Sequence, residues 1–208
     1  MNGYLLVTLE PPAPMEEEFN DWYDFEHLPE RAAIDGFLSA KRFACVDGWP
    51  RYLAVYDLRT IGVLKEPEYT KLSGDRFSPW SKRVLNRLRG QYRASGDQIY
   101  PGTATTGEFA RMLLIRFRKT PANSANQIVE RARARFEGKP GIKQVRVVHN
   151  AEAKEPEYLV LVESVLPIPP TSVDMEAFGP LSAHIDMINE YSPYWVRGHL
   201  PGVFSPGT

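Results

Sequence analysis

The chain has 208 residues, 43% hydrophobic and 25% charged, with 25 basic residues against 26 acidic ones. This is the composition of a soluble globular protein of one large or two small domains. A net charge of −1 gives no global field for nucleic acid or an anionic membrane. The single cysteine, Cys45, excludes a disulfide framework and cysteine-based metal sites.

The first residues, MNGYLLVTLEPPAP, have no basic n-region, and their apolar run is too short for a signal peptide. No stretch approaches the ~20 apolar residues of a membrane span, so a cytoplasmic protein is expected. Residues 3–10 alternate and are rich in aliphatics, which predicts a strand. PPAP ends it, and helix formers with acids near the first turn predict a helix over 15–28. Pro29 bends or ends that helix. A turn and a strand follow over 35–46, DGWP (47–50) turns the chain, and 51–58 is the partner strand. Residues 63–74 and 78–88 read as helical, and 89–101 as a final strand or arm.

GTATTG (102–107) is a small-residue linker, after which the order starts again. Residues 108–118 predict a strand and 123–138 a helix, with Asn123 or Ser124 as its N-cap. Two strands follow over 140–150 and 156–165, then a helical stretch over 172–192 and a closing segment over 194–200. DGFLSAKRF is echoed by PGIKQVRVV, and SPW (78–80) by SPYW (192–195). Strand, helix, strand, strand, helix, strand is the ferredoxin-like plan, here written twice, in units 1–101 and 108–208. Each such sheet leaves one face bare, and two in one chain can bury those faces against each other as a barrel. The expected class is α+β, with tandem ferredoxin-like βαββαβ repeats.

Alternation assigns residues to faces. Leu5, Val7 and Leu9 oppose Tyr4, Leu6 and Thr8; Leu53 and Val55 oppose Tyr52, Ala54 and Tyr56; Leu38, Ala40, Arg42 and Ala44 share a side. Placing the aliphatic sets under the helices sends Tyr4, Tyr52, Tyr56 and Arg42 into the barrel interior. There the tyrosines either line a cavity with hydrogen-bonding handles or fill the interface between the halves. Cys45, on the side of Phe43, is expected in the core under a helix.

FNDWYDFEHLPERAAIDGFLSAKRF (19–43), LKEPEYTKLSG (64–74) and SPW (78–80) together resemble the EthD-like branch of the dimeric α/β-barrel superfamily. The shared pattern is an aromatic-rich helix with a histidine and a proline, a D/P-G-aromatic turn, and a later L-x-x-P-E-Y-x-x-L. The second half matches only in element order. The resemblance implies two ferredoxin-like units closing an intramolecular dimeric α/β barrel around a small-molecule ligand. Members include cofactor-independent monooxygenases, polyketide cyclases, lactone isomerases, dehydratases, stress proteins without known activity and haem-binding branches. Fold alone does not choose among them.

On a helix over 15–28, Phe19, Trp22, Tyr23 and Glu26 or His27 share one stripe. His27 at its C-terminal end would have a raised pKa, with Glu26 or Glu30 to orient it, and would serve as general acid or base. The plainer alternative is a histidine that caps the last carbonyls. Tyr23 and Arg42 would polarise a substrate oxygen, while Trp22, Tyr4, Tyr52 and Tyr56 shape the cavity. Arg31 is expected to pair with Glu30 or Asp35. His149, His184 and His199 show no metal-ligand spacing, so no metal is implied, and haem ligation by His149 or His184 has no local motif. The basic run from Arg76 to Arg93 reads as a solvated helix face, and Trp80 and Trp195 as anchors of each half. The expected function is a cofactor-independent enzyme acting on a small cyclic or aromatic carbonyl compound, without nucleic-acid or membrane partners. The alternative is a non-catalytic, stress-associated binding barrel. A two-fold contact through the outer helices would make a homodimer.

Overall fold

The computed structural model describes residues 1–194. The expected closing segment beyond Tyr194, with Trp195 and His199, lies outside the described residues. Eight strands form one closed barrel, every neighbouring pair antiparallel. They are β1 (Gly3–Glu10), β2 (Phe37–Asp47), β3 (Tyr52–Leu58), β4 (Arg89–Tyr100), β5 (Arg111–Phe117), β6 (Ile142–His149), β7 (Tyr158–Ser164) and β8 (Ile185–Pro193). Around the barrel they run β1-β3-β2-β8-β5-β7-β6-β4. Closure leaves no edge strand to template aggregation.

Side-chain parity divides the molecule into three apolar layers. Tyr4 and Leu6 meet Leu53, Val55, Met112, Leu114, Leu159 and Leu161 in the barrel interior. An eight-stranded barrel is just wide enough for its own side chains to fill. Outside β1 and β3, Leu5, Leu9, Tyr52 and Tyr56 pack under α1 (Glu16–Trp22) and α4 (Pro79–Leu85). Outside β5 and β7, Leu113, Ile115, Val160 and Val162 pack under α5 (Ala125–Phe136), with Ile128, Ala132 and Phe136 facing them.

The expected assignment of faces is corrected at β2 and β3. Leu5 lies opposite Tyr56, Val7 opposite Ala54 and Leu9 opposite Tyr52, and directly opposed residues point the same way. With the β1 aliphatics under the helices, Tyr52 and Tyr56 must be there too, and Leu53 and Val55 go inside. Arg42, opposite Ala54, follows them to the helix side. A register shift between Phe37 and Ser39 turns Leu38 outward, 50% exposed. Cys45 packs against the interior layer rather than under a helix, where burial pushes its thiol up to about 11.

Two helical expectations also change. Residues 172–192 do not form a helix: short 3₁₀ turns span Pro170–Ser172 and Met175–His184, the second kinked at Gly179 (φ 56°) beside Pro180. Strand β8 follows at once, because β2 and β5 each need a neighbour for their backbone groups. Ser192-Pro193 therefore ends a strand, whereas Ser78-Pro79 starts α4, so that echo joins unlike places. Residues 63–74 break into 3₁₀ turns around the one-turn α3 (Pro67–Thr70). Ser124 stands at the N-cap of α5, yet its hydroxyl donates to the Pro121 carbonyl instead of accepting from the helix.

One end of the barrel is closed by charge. Arg146 of β6, buried, lies 2.6 Å from Asp57 of β3 and 3.3 Å from Glu163 of β7. Residues of the 102–107 segment complete this plug: the Thr106 amide donates to Asp57 (2.6 Å) and the Gly107 amide to Glu163 (3.1 Å). Burial alone would raise the Asp57 carboxyl, but Arg146, Ser39 and Thr106 outweigh it and hold it below its usual value. At Glu163 burial wins over Arg146, and its carboxyl titrates above the usual range. Arg146→Met leaves two buried acids facing each other and should cost about 3–5 kcal/mol in urea denaturation. Adding Asp57→Asn and Glu163→Gln should recover most of it. A loss for the single variant under about 1 kcal/mol would show that the cation does not hold this end.

Candidate functional site

Pro29 does not end the first helix. α1, a π-helical turn (Tyr23–His27) and α2 (Leu28–Ala32) run on in right-handed helical geometry. Proline lacks an amide hydrogen and crowds the preceding turn of an α-helix. The wider turn placed directly before Pro29 relieves both problems, and such turns recur at functional sites. The turn also packs His27 against two rings at once, tilted on Trp22 with centroids 4.4 Å apart and edge-on to Tyr23 at 5.1 Å.

The helix is fixed to its neighbours by buried charge. Arg42 reaches from β2 to Asp24 at 2.6 Å and donates to the Asn20 side-chain oxygen at 2.7 Å. Its guanidinium lies 4.2 Å from the centroids of both the Tyr23 and Tyr194 rings, a cation–π contact on each side. On the other flank, one carboxylate oxygen of Glu26 accepts from Ser78 (2.6 Å), Ser81 (2.9 Å) and the Trp22 indole (3.2 Å). Ser78 is also the N-cap of α4, accepting from the Ser81 amide. Glu26 thus ties two helices together and is not the orienting partner of His27.

Between this helical layer and the sheet lies a cavity of about 260 Å³, near the ~300 Å³ lower bound of ligand clefts and suited to a small ring system. Its floor is Leu5, Val7 and Leu9 of β1 with Tyr56 of β3, and Gln91 and Arg93 of β4 stand at the side. Trp22, Tyr23, His27 and Arg31 form the roof, and Tyr69, Phe77 and Leu85 the remaining wall. The His27 imidazole Nδ1 is shielded from solvent and has no hydrogen-bond partner. Burial first, then the charges of Arg31 and Arg42, hold its pKa well below 6.5, so it is a neutral base at pH 7. The expected rise assumed a helix end, and here the helix continues past His27. Burial also raises the Tyr23 and Tyr56 phenols, so both stay protonated, and the Tyr56 hydroxyl has no hydrogen-bond partner.

Of the residues singled out in the sequence, His27, Tyr23, Trp22 and Tyr56 come together on this cavity. Arg42, Tyr4 and Tyr52 do not line it. Tyr4 lies on the opposite face of β1, in the barrel interior. Tyr52 donates to Glu16 (2.7 Å) and accepts from Asn20 (3.1 Å), and burial pushes its phenol up to about 12. Arg31 lines the cavity, against the sequence expectation. It pairs with neither Glu30 nor Asp35; Asp35 binds Arg59. Its spacing of i, i+4 from His27 was the available signal, masked by the acids nearby in sequence. A haem does not fit these residues. His149 packs its ring on Tyr158, the His184 Nδ1 faces the Arg118 carbonyl, and neither lines the cavity. No group of side chains able to hold a metal ion occurs among the described residues, and none of their helices is long and apolar enough to cross a membrane.

No family model matches this sequence, and no curated protein does. Solved structures do resemble it. An anthrone oxidase-like protein aligns over 98% of this chain and 96% of its own at 13% identity, TM-score 0.61. A mutant chlorite dismutase from Candidatus Nitrospira defluvii covers 94% and 92% at 10% identity, TM-score 0.55. A Lactobacillus acidophilus NCFM protein provisionally named a monooxygenase covers 93% of each at 10%, TM-score 0.53. At these identities the likeness is one of fold alone.

The electrostatics can be read directly by NMR. The His27 ring should stay neutral well below pH 6.5, and Arg31→Met should move its midpoint upward, since the lost cation opposes protonation. A wild-type midpoint at or above 6.5 would contradict the buried, cation-flanked placement.

Proposed function

We propose that the protein is an enzyme that removes a proton next to the carbonyl of a small cyclic or aromatic compound, with His27 as the base. The observation that carries this reading is a set of three orphan groups on one cavity. The His27 Nδ1, the Arg31 Nη1 and the Tyr56 hydroxyl are all shielded from water and all lack a hydrogen-bond partner. Leaving a buried polar group unsatisfied costs about 1–3 kcal/mol, and a ligand that completes them would recover that cost. A neutral imidazole accepts the proton, and the electron pair moves onto the carbonyl oxygen. Arg31 and the protonated Tyr23 and Tyr56 hydroxyls are suited to stabilise that oxyanion. Whether the carbanion then meets a proton, expels a leaving group or meets dioxygen separates isomerase or cyclase, dehydratase and monooxygenase outcomes. Likeness to an anthrone oxidase-like fold is in keeping with a ring ketone.

The same reading takes the chain as two ferredoxin-like units, 1–101 and 108–208, of the EthD-like kind. Strand order supports it, since β4-β1-β3-β2 and β8-β5-β7-β6 repeat one arrangement around the barrel. So does register: β3 runs YLAVYDL and β7 YLVLVES, with Asp57 and Glu163 at matching places on the same arginine. Among the described residues α5 carries no counterpart of the His27 stripe, which is in keeping with one site in each chain.

Hydrogen–deuterium exchange at the α-carbon of cyclic ketones, followed by mass spectrometry, tests the base directly. His27→Ala should slow exchange about 10²–10⁴-fold with the fold retained. Equal exchange in both proteins removes His27 from the chemistry. Ligands that bind wild type without any exchange would favour a non-catalytic binding barrel.

A further inference from the structure

We infer that the cavity selects ligands carrying an anionic oxygen, an aromatic carboxylate or phenolate, whose charge lies against Arg31. This rests on the cavity being a ligand site, and names the class of ligand it takes.

Three arginines are buried among the described residues: Arg31, Arg42 and Arg146. A buried cation is costly to keep unless its charge is matched. Arg42 has Asp24 at 2.6 Å. Arg146 has Asp57 at 2.6 Å and Glu163 at 3.3 Å. Arg31, only 2% exposed, has no ion-pair partner among the described residues. Its Nη2 donates to the Leu72 carbonyl, and its guanidinium lies 5.0 Å from the Tyr69 ring centroid and 5.9 Å from that of Phe77. Those contacts offset part of the desolvation cost, and the Glu30 carboxylate acts on Arg31 only from a distance, without an ion pair.

Nothing on the cavity wall supplies the missing anion. The lining holds two arginines and no aspartate or glutamate. The second, Arg93, is already paired with Glu152 on its outer side. Arg31 therefore gives the cavity a positive charge with no ion-pair partner among the described residues, and its free Nη1 is the donor a ligand oxygen would take. Leu5, Leu9, Trp22 and Phe77 give the wall an apolar and aromatic part, beside the neutral polar groups of His27, Gln91 and the tyrosines. A ring bearing one acidic oxygen meets both demands. A ring that already carries this charge matches Arg31 on binding, whereas a neutral ketone matches it only once its proton is removed and the oxyanion forms.

Isothermal titration with benzoate and 1-naphthoate, against the shape-matched benzamide and 1-naphthamide, tests this. Wild type should bind each carboxylate at least about tenfold more tightly than its amide, a difference of about 1.4 kcal/mol. In Arg31→Met the preference should collapse. In Arg93→Met it should remain, because that charge is already matched. Arg31→Lys, which keeps the charge, guards against a Met variant that fails to fold, and should retain a carboxylate preference with weaker binding. Amides that bind wild type as well as carboxylates, a preference that survives Arg31→Met, or no binding of any carboxylate would each overturn the inference. His27→Ala separates it from the catalytic reading. Carboxylate preference kept in that variant, with no exchange chemistry in wild type, sustains the anion anchor and removes the base. Exchange of neutral ketones without carboxylate preference does the reverse.

Discussion

Side-chain parity in a closed sheet is the constraint on which the rest of this structure depends. Once eight strands join in a ring, each residue faces either the interior or the helices, and register ties every strand's choice to its neighbour's. The interior is filled by its own leucines, methionine and tyrosines, with the Asp57–Arg146–Glu163 plug at one end. The ligand-sized space lies outside the barrel, between β1, β3, β4 and the first helical run.

That placement explains the traffic of charge around the helix. A helix lying flat on Leu5 and Leu9 would leave no cavity. Here Arg42 with Asp24 holds one side and Glu26 with Ser78, Ser81 and Trp22 the other, while the π-helical turn carries His27 over Trp22 and Tyr23. Asp24 and Glu26, the acids on the same helical run, are thereby engaged elsewhere and do not satisfy His27 or Arg31. Burying unsatisfied polar groups is unfavourable for stability, and cavities that bind ligands are where such an arrangement has a compensating use.

Strand positions were largely legible because a two-residue period survives in short aliphatic runs such as residues 3–10 and 156–165. β8 was not, since the order of apolar and polar residues over 185–193 fits a helix as well as a strand, and pairing with β2 and β5 decided it. The stripe of Trp22, Tyr23 and His27 was legible from helical spacing. Tyr52 and Arg42 were misplaced because face assignment used composition, tyrosine and arginine being taken as interior, where register was required. The basicity of His27 was reversed for a related reason: a proline two residues on suggests a helix end, and only the π-helical turn shows that the helix continues.

Local period and residue type were enough to set most of the strand–helix alternation and the clustering of Trp22, Tyr23 and His27 on one helix face. Tertiary structure alone decided which face each tyrosine occupies, which arginine is left without an acid, and where the cavity opens. Those are properties of register and of charge partners far apart in the chain: Asp24 with Arg42, Asp57 with Arg146, Arg93 with Glu152. A carboxylate adjacent in sequence, like Glu30 beside Arg31, carries no information about its partner until the fold has turned each side chain toward or away from it.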